Sequence, residues 1–500
     1  MTVAMTRTWL QKRIPEDQKV KYLANGRDFI DDAAIEHMLV APASQDGSKD
    51  ASRIRDILEK SRAIQTLSPD ETATLLHVTD PGMLAEMEEA ALAIKKKVYD
   101  NRIVTFAPLY MSTRCVNNCA YCGLRSENTA MTRGVLSQEQ VRSETEVLAG
   151  DIGHKRLIAV YGEHPSSDTD YIAETLKTIY SVRMKTKHGI GSIRRVNVNA
   201  APMTVEDLKV LHETGIGTYQ VFQETYHHET YRSVHPANTI KGDYAWRIYC
   251  MHRALEAGID DVGIGALFGL YDWKFEVMGL LHHAIELENR FGIGPHTISF
   301  PRIEPAENTP LSLAQPHRIS DAEFKRAVIV LRLAVPYTGM ILTARESAAM
   351  RDSLVPAGIT QMDASSKVGL GAYSDTKPEQ QPNRQQFILG DTRSLEELIR
   401  DLADTGNITS FCTAGYRCGR TGKCIMDLLR TGQEGKFCKL NAVITYREWL
   451  DDFASEPTRV AGEKVIAKEI DEIRMKMPKV FDAFMENYSR TQKGERDLFF

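Results

Sequence analysis

Between residues 103 and 363, short apolar runs alternate eight times with longer amphipathic stretches, and this rhythm constrains the fold most. The apolar runs are 103–110, 156–161, 193–198, 218–223, 261–268, 297–302, 339–343 and 359–363. Each has strand length. Between them lie segments of helical periodicity such as 137–149, 170–187, 205–214, 244–257, 273–290, 321–334 and 344–353. Strand and crossover helix repeated in this way predict a parallel α/β barrel of (β/α)8 type over residues 101–364. In such barrels the loops after the strands carry the chemistry.

The first of those loops holds Cys115, Cys119 and Cys122, spaced C-x3-C-x2-C. Three thiolates at this spacing can hold three corners of a cubane iron–sulfur cluster and leave the fourth iron open to a substrate or cofactor. A zinc knot is the competing reading, but zinc generally takes four protein ligands and the loop offers no fourth Cys or His. With Tyr121 just before the third cysteine, the loop resembles the cluster loop of radical S-adenosylmethionine (SAM) enzymes.

Other post-strand segments supply residues for a SAM site. Gly162 allows close backbone approach, and Glu163 is placed to orient the methionine ammonium. Glu224, in Gln223-Glu-Thr-Tyr-His-His228, is a candidate for holding a ribose or amino group; its competing reading is a solvated loop or cap. Arg302 and Arg345 are candidate carboxylate clamps, because guanidinium pairs bidentately with carboxylates. Either can equally be a rim salt bridge. His188, His212 and His252 fall on apparent helices and read as surface or core histidines. Cys250 reads as a buried helical thiol.

Around the barrel, residues 1–100 read as a helical preface without chemistry, with a capping box at Ser68 and Glu71 and a long amphipathic helix ending in basic residues. Residues 365–393 form a Gly/Gln-rich connector. Residues 394–500 form a helical extension carrying a second cysteine group, Cys412, Cys418, Cys424 and Cys438. That group suits a second iron–sulfur site or a four-thiolate zinc site, and spacing alone favours neither.

A net charge of −5 argues against nucleic-acid or anionic-membrane partners. No apolar run reaches membrane-spanning length, and residues 1–10 have no sustained apolar leader. Eight cysteines in 500 residues are too few for a disulfide framework and point to metal work in a reducing cytoplasm.

Longer strings carry a closer likeness: Asn101 to Tyr110, the Cys115 loop, Gly153-His-Lys-Arg-Leu157, Gln223 to His227, Gly294-Pro-His-Thr-Ile-Ser299, Ser410 to Ala414, Tyr416-Arg417 and Gly419-Arg-Thr-Gly422. On these the chain resembles the HydG-type tyrosine lyases, radical SAM maturases of FeFe-hydrogenase, over residues 29–449, and more distantly the ThiH tyrosine lyases. The resemblance implies a [4Fe–4S] cluster with an open iron that binds SAM, and cleavage of tyrosine to p-cresol and dehydroglycine through a 5′-deoxyadenosyl radical. It also implies an electron donor such as ferredoxin or flavodoxin, and hydrogenase-maturation proteins as partners.

In the maturases a tunnel leads to a second cluster at which carbon monoxide and cyanide form. Their pattern there is C-x2-C-x22-C, and this chain has Gly415 where the middle cysteine belongs. Cys418 and Cys424 are additional thiols nearby, and His296 resembles the family's ligand to a labile iron. A rearranged cluster, a different metal and no metal are all open. Three other functions compete: cleavage of another amino acid, a non-catalytic iron–sulfur scaffold, and a zinc-stabilised binding protein.

Overall fold

The computed structural model describes residue 9 and residues 12–375, 381–431 and 434–500. The leader reading of residues 1–10 therefore lies almost wholly outside the described residues, as do positions 376–380 of the connector. Eight parallel strands close into a barrel: β1 (Arg102–Ser112), β2 (Arg156–Tyr161), β3 (Arg195–Asn199), β4 (Tyr219–Gln220), β5 (Val262–Gly265), β6 (Thr297–Ser299), β7 (Gly339–Leu342) and β8 (Gln361–Asp363). Each pairs with the next, and β8 returns to β1 with Val104 opposite Gln361.

All eight expected strands are present, several shortened at their ends. After β4, β5 and β6 the chain leaves the ladder to build the mouth, keeping only single bridges, Glu224 to Ala266 and Phe268 to Arg302. The expected helix 244–257 is two helices, Tyr244–Ile248 and Cys250–Glu256, and Cys250 is buried in the second. His188 lies between the strands of a small hairpin, Met184–Lys185 and Ile190–Gly191, rather than on a helix. Gly191 makes that hairpin possible, since a Cβ there would stand 2.3 Å from the Ala149 carbonyl oxygen.

A ninth strand, β9 (Ile408–Ser410), lies within the C-terminal extension yet joins the sheet, pairing Arg102 with Ile408. The eleven residues of β1 are all buried because they serve three partners, β9 and β8 early and β2 from Ala107 onward. Helix Glu434–Phe453 packs on β9, and helices Glu456–Lys476 and Pro478–Gln492 pack on it in turn. Among the described residues no helix is long and apolar enough to cross a membrane.

In the preface, the Ser68 and Glu71 capping box is formed at the start of helix Pro69–His77. Helix Pro81–Tyr99 lies along helix Asp321–Ala334, burying Met87, Ala90, Ala91, Ile94 and Val98. Its terminal lysines differ from a simple basic, solvated end. Lys95 turns inward and donates from Nζ to the Val355 carbonyl at 3.0 Å. Burial, and the nearby Arg332 cation, hold its ammonium down at about 7 against an ordinary 10.5.

The fold therefore pays for Lys95 at any pH below 10.5, increasingly so down to 7 and constantly below it. Lys95→Met should stabilise the protein by about 1–3 kcal/mol at pH 6 to 7. In thermal unfolding across pH, its advantage over the wild type should shrink as pH rises from 7 towards 10.

Candidate active site

The cluster loop leaves β1 at Ser112 and crosses the C-terminal mouth of the barrel. The end of β2 fixes its first part: Gly162 N–H donates to the Ser112 carbonyl at 3.0 Å and Val116 N–H to the Glu163 carbonyl at 2.8 Å. A Cβ at Gly162 would stand 2.2 Å from the Arg114 carbonyl oxygen, so no side chain fits there. The segment after β4 fixes the rest. Ala120 N–H donates to the Val234 carbonyl at 3.0 Å, and Lys241 N–H to Asn117 Oδ1 at 3.0 Å.

Tyr121 is held by His235, which is fully buried. The Nδ1 of His235 faces the Tyr231 carbonyl at 2.9 Å and so carries the proton, leaving Nε2 to accept from the Tyr121 hydroxyl at 2.9 Å. Burial, with Lys241 and Arg247 nearby, keeps this imidazole neutral, well below its ordinary pKa.

Cys115, Cys119 and Cys122 line one cavity of about 250 Å³, together with Tyr121, Gly162, Glu163, Glu224, Lys241, Arg247 and Arg345. The thiols fit a cluster chemically. Amide nitrogens approach two of them, Asn117 Nδ2 at 3.8 Å from Cys115 Sγ and Gln386 Nε2 at 3.6 Å from Cys122 Sγ. Burial pushes the Cys119 thiol up to about 12, more than nearby Lys241 offsets, and also raises Cys115. Three thiolates can share this space only with a cationic centre between them.

Glu163 is 7% exposed. Its Oε2 accepts from Asn117 Nδ2 at 2.6 Å, while Oε1 has no hydrogen-bond partner. That oxygen suits a ligand ammonium. Its neighbouring cation is Arg13, with Nε at 3.7 Å, so the preface reaches the site instead of only bracing the barrel.

Glu224 adopts a left-handed backbone, φ 75°, uncommon for a residue with a side chain. Its Oε1 accepts from Lys241 Nζ at 2.7 Å and lies 3.4 Å from Arg247 Nη2. Burial alone would raise this carboxyl, but the two cations outweigh it and hold it below its ordinary pKa.

The two arginines part company. Arg345 lies on the cavity wall with its guanidinium 3.4 Å from the Phe387 ring centroid, and it forms no salt bridge among the described residues. Arg302 lies outside the cavity. Its guanidinium is bidentate to Glu346 and bonds Asp321 at 2.7 Å.

The second cysteine group lies at the opposite end of the barrel. Cys412 follows β9 in a left-handed conformation, φ 46°, and its carbonyl lies 3.4 Å from Arg156 at the foot of β2. Cys412, Cys438, Gly415 and His296 share the wall of a void of about 30 Å³. Cys418 and Cys424 are exposed and line none of this space.

Sequence reasoning passed over Arg13, Asn117, Lys241, Arg247, His235 and Gln386. Only Asn117, inside the cysteine motif, had a local signal. The others arrive from distant segments.

A closed parallel barrel with three loop thiols at its C-terminal mouth defines a radical SAM enzyme, and the Radical SAM superfamily pattern matches residues 109–281. The Biotin and Thiamin Synthesis associated domain matches residues 299–408. The chain is 28% identical to 2-iminoacetate synthase of Escherichia coli K12 over 352 residues, 70% of this chain and 88% of that protein. A crystal structure of HydG, a maturase of the [FeFe]-hydrogenase, is 45% identical with a TM-score of 0.87, covering 95% of this chain and all of that one. HydG from Carboxydothermus hydrogenoformans is 35% identical with a TM-score of 0.74, covering 92% and 98%. The chain belongs to the HydG family of [FeFe]-hydrogenase maturases.

Gly162→Ala should force the cluster loop off β2, at a cost of about 1–3 kcal/mol. Iron and sulfide content after anaerobic reconstitution should fall well below the wild type, while far-ultraviolet circular dichroism stays unchanged.

Proposed function

We propose that the protein is a radical SAM lyase that breaks the Cα–Cβ bond of tyrosine to give p-cresol and dehydroglycine. One observation carries the reading: within a HydG-family barrel, three loop thiols, a Glu163 oxygen that accepts no hydrogen bond, and an Arg345 guanidinium that forms no salt bridge among the described residues face one cavity. The [4Fe–4S] cluster and SAM, when bound, supply the one-electron chemistry that yields a 5′-deoxyadenosyl radical.

The chain's own residues hold and orient. Cys115, Cys119 and Cys122 would hold the cluster through three thiolates, leaving an open iron for SAM. Glu163 Oε1 would accept from the cofactor's ammonium, and the backbone at Gly162 would keep that edge close. Glu224, fixed by Lys241 and Arg247, presents a charged acceptor to a ribose or amino group.

We assign the substrate carboxylate to Arg345, and to Arg302 the task of tying the loops after β6 and β7 together. Phe106, Ile158, Leu267 and Ile341 on the cavity wall keep water from the reacting atoms. Holding radical and substrate in one small space is the protein's main contribution to rate.

HydG membership supports a role in supplying carbon monoxide and cyanide for hydrogenase assembly, with maturation proteins as partners. A ferredoxin or flavodoxin as electron donor and a reducing cytoplasm fit the cluster chemistry.

Anaerobic turnover with SAM, dithionite and tyrosine should give p-cresol, and Cys115→Ala should abolish SAM cleavage. Cleavage of SAM without p-cresol would overturn the substrate. Arg345→Ala should lower kcat/KM for tyrosine about 10- to 150-fold, the loss of a charge-assisted contact. Arg302→Ala should lower the thermal midpoint while leaving KM for tyrosine near the wild-type value.

A further inference from the structure

The HydG relationship implies a second cubane at the C-terminal cysteines, and the residues present do not fit one. Two thiols, Cys412 and Cys438, flank Gly415 on the walls of two voids of about 30 and 10 Å³.

The additional thiols do not make up the shortfall. Cys418 is exposed, with its Sγ 3.6 Å from the Phe500 carbonyl oxygen. Cys424 is exposed on helix Gly422–Arg430, whose buried face is Ile425, Met426 and Leu429. Phe499, stacked 4.2 Å under the Arg417 guanidinium, walls the smaller void.

We propose that this chain carries one cubane, at the mouth, and none at its C-terminal cysteines, so that the cleavage fragment leaves as free dehydroglycine. The proposal rests on the lyase reading and extends it to the fate of the product. In water the released imine adds one water across C=N and its C–N bond then breaks, giving glyoxylate and ammonia with no oxidant or reductant. What the C-terminal site lacks is one thiolate at Gly415. An ideal Cβ there meets only the Arg420 carbonyl oxygen at 3.7 Å and the Arg420 Cβ at 3.9 Å, ordinary contacts, so a cysteine fits without displacing backbone.

The test compares full-length wild type, Cys115→Ala, Gly415→Cys and the Cys115→Ala/Gly415→Cys double variant. Each is reconstituted anaerobically with ferrous iron and sulfide, then assayed for iron and acid-labile sulfide per chain and by electron paramagnetic resonance after reduction. One cubane per wild-type chain is expected, lost entirely in Cys115→Ala. Gly415→Cys should gain a second set that survives in the double variant. Wild-type iron and sulfide that persist in Cys115→Ala would overturn the proposal, as would a Gly415→Cys chain that gains nothing.

In turnover, glyoxylate and ammonia should match p-cresol mole for mole, and carbon monoxide from the wild type would overturn the proposed fate of the fragment. Absence of p-cresol from a chain holding its one cubane would instead count against the lyase reading and leave the cluster count standing.

Discussion

The pairing of β1 underlies both ends of this molecule. Its eleven buried residues meet β9, β8 and β2 in turn, so one strand closes the barrel, anchors the C-terminal extension and ends at the cluster loop. Because β9 starts level with Arg102, Cys412 emerges at the foot of the barrel, while Cys115 emerges at the top. The separation of the two cysteine groups is therefore a consequence of sheet register.

At the mouth, the balance of charge is set by burial. Low-dielectric surroundings oppose every ionised group there, so each charge is answered locally: Glu224 by Lys241 and Arg247, and Glu163 by Arg13 and Asn117. Among the described residues the three thiols and Arg345 form no salt bridge. They are complementary to what the site would bind, a cationic metal core and a carboxylate.

The eight strands were legible because a parallel strand buried on both faces reads as an apolar run whatever surrounds it. Strand β9 was not, since three residues between a helix and a cysteine carry no period of their own. The cysteine triplet was legible from spacing, whereas Arg302 and Arg345 stand at similar offsets after their strands and cannot be told apart in one dimension. What separates them is Glu346, the residue next to Arg345, which reaches across to Arg302. Lys241, Arg247 and Arg13 were hidden because their partners lie far along the chain and polar residues in loops are common. Lys95 read as a basic helix end, and only packing against the Val355 carbonyl turned it into a core residue.

The preface is fastened almost entirely to segments made after it. Leu67 N–H donates to the Ala334 carbonyl, Lys95 to Val355, and Asp28 and Asp32 bracket His228. During synthesis, the first hundred residues emerge before any of these partners exists. Their helices can pack on one another early, but the faces that meet the barrel stay uncovered until the seventh strand and its neighbours have left the ribosome. The preface thus waits for segments made long after it, and that unfinished interval is when a chaperone or a protease would meet it.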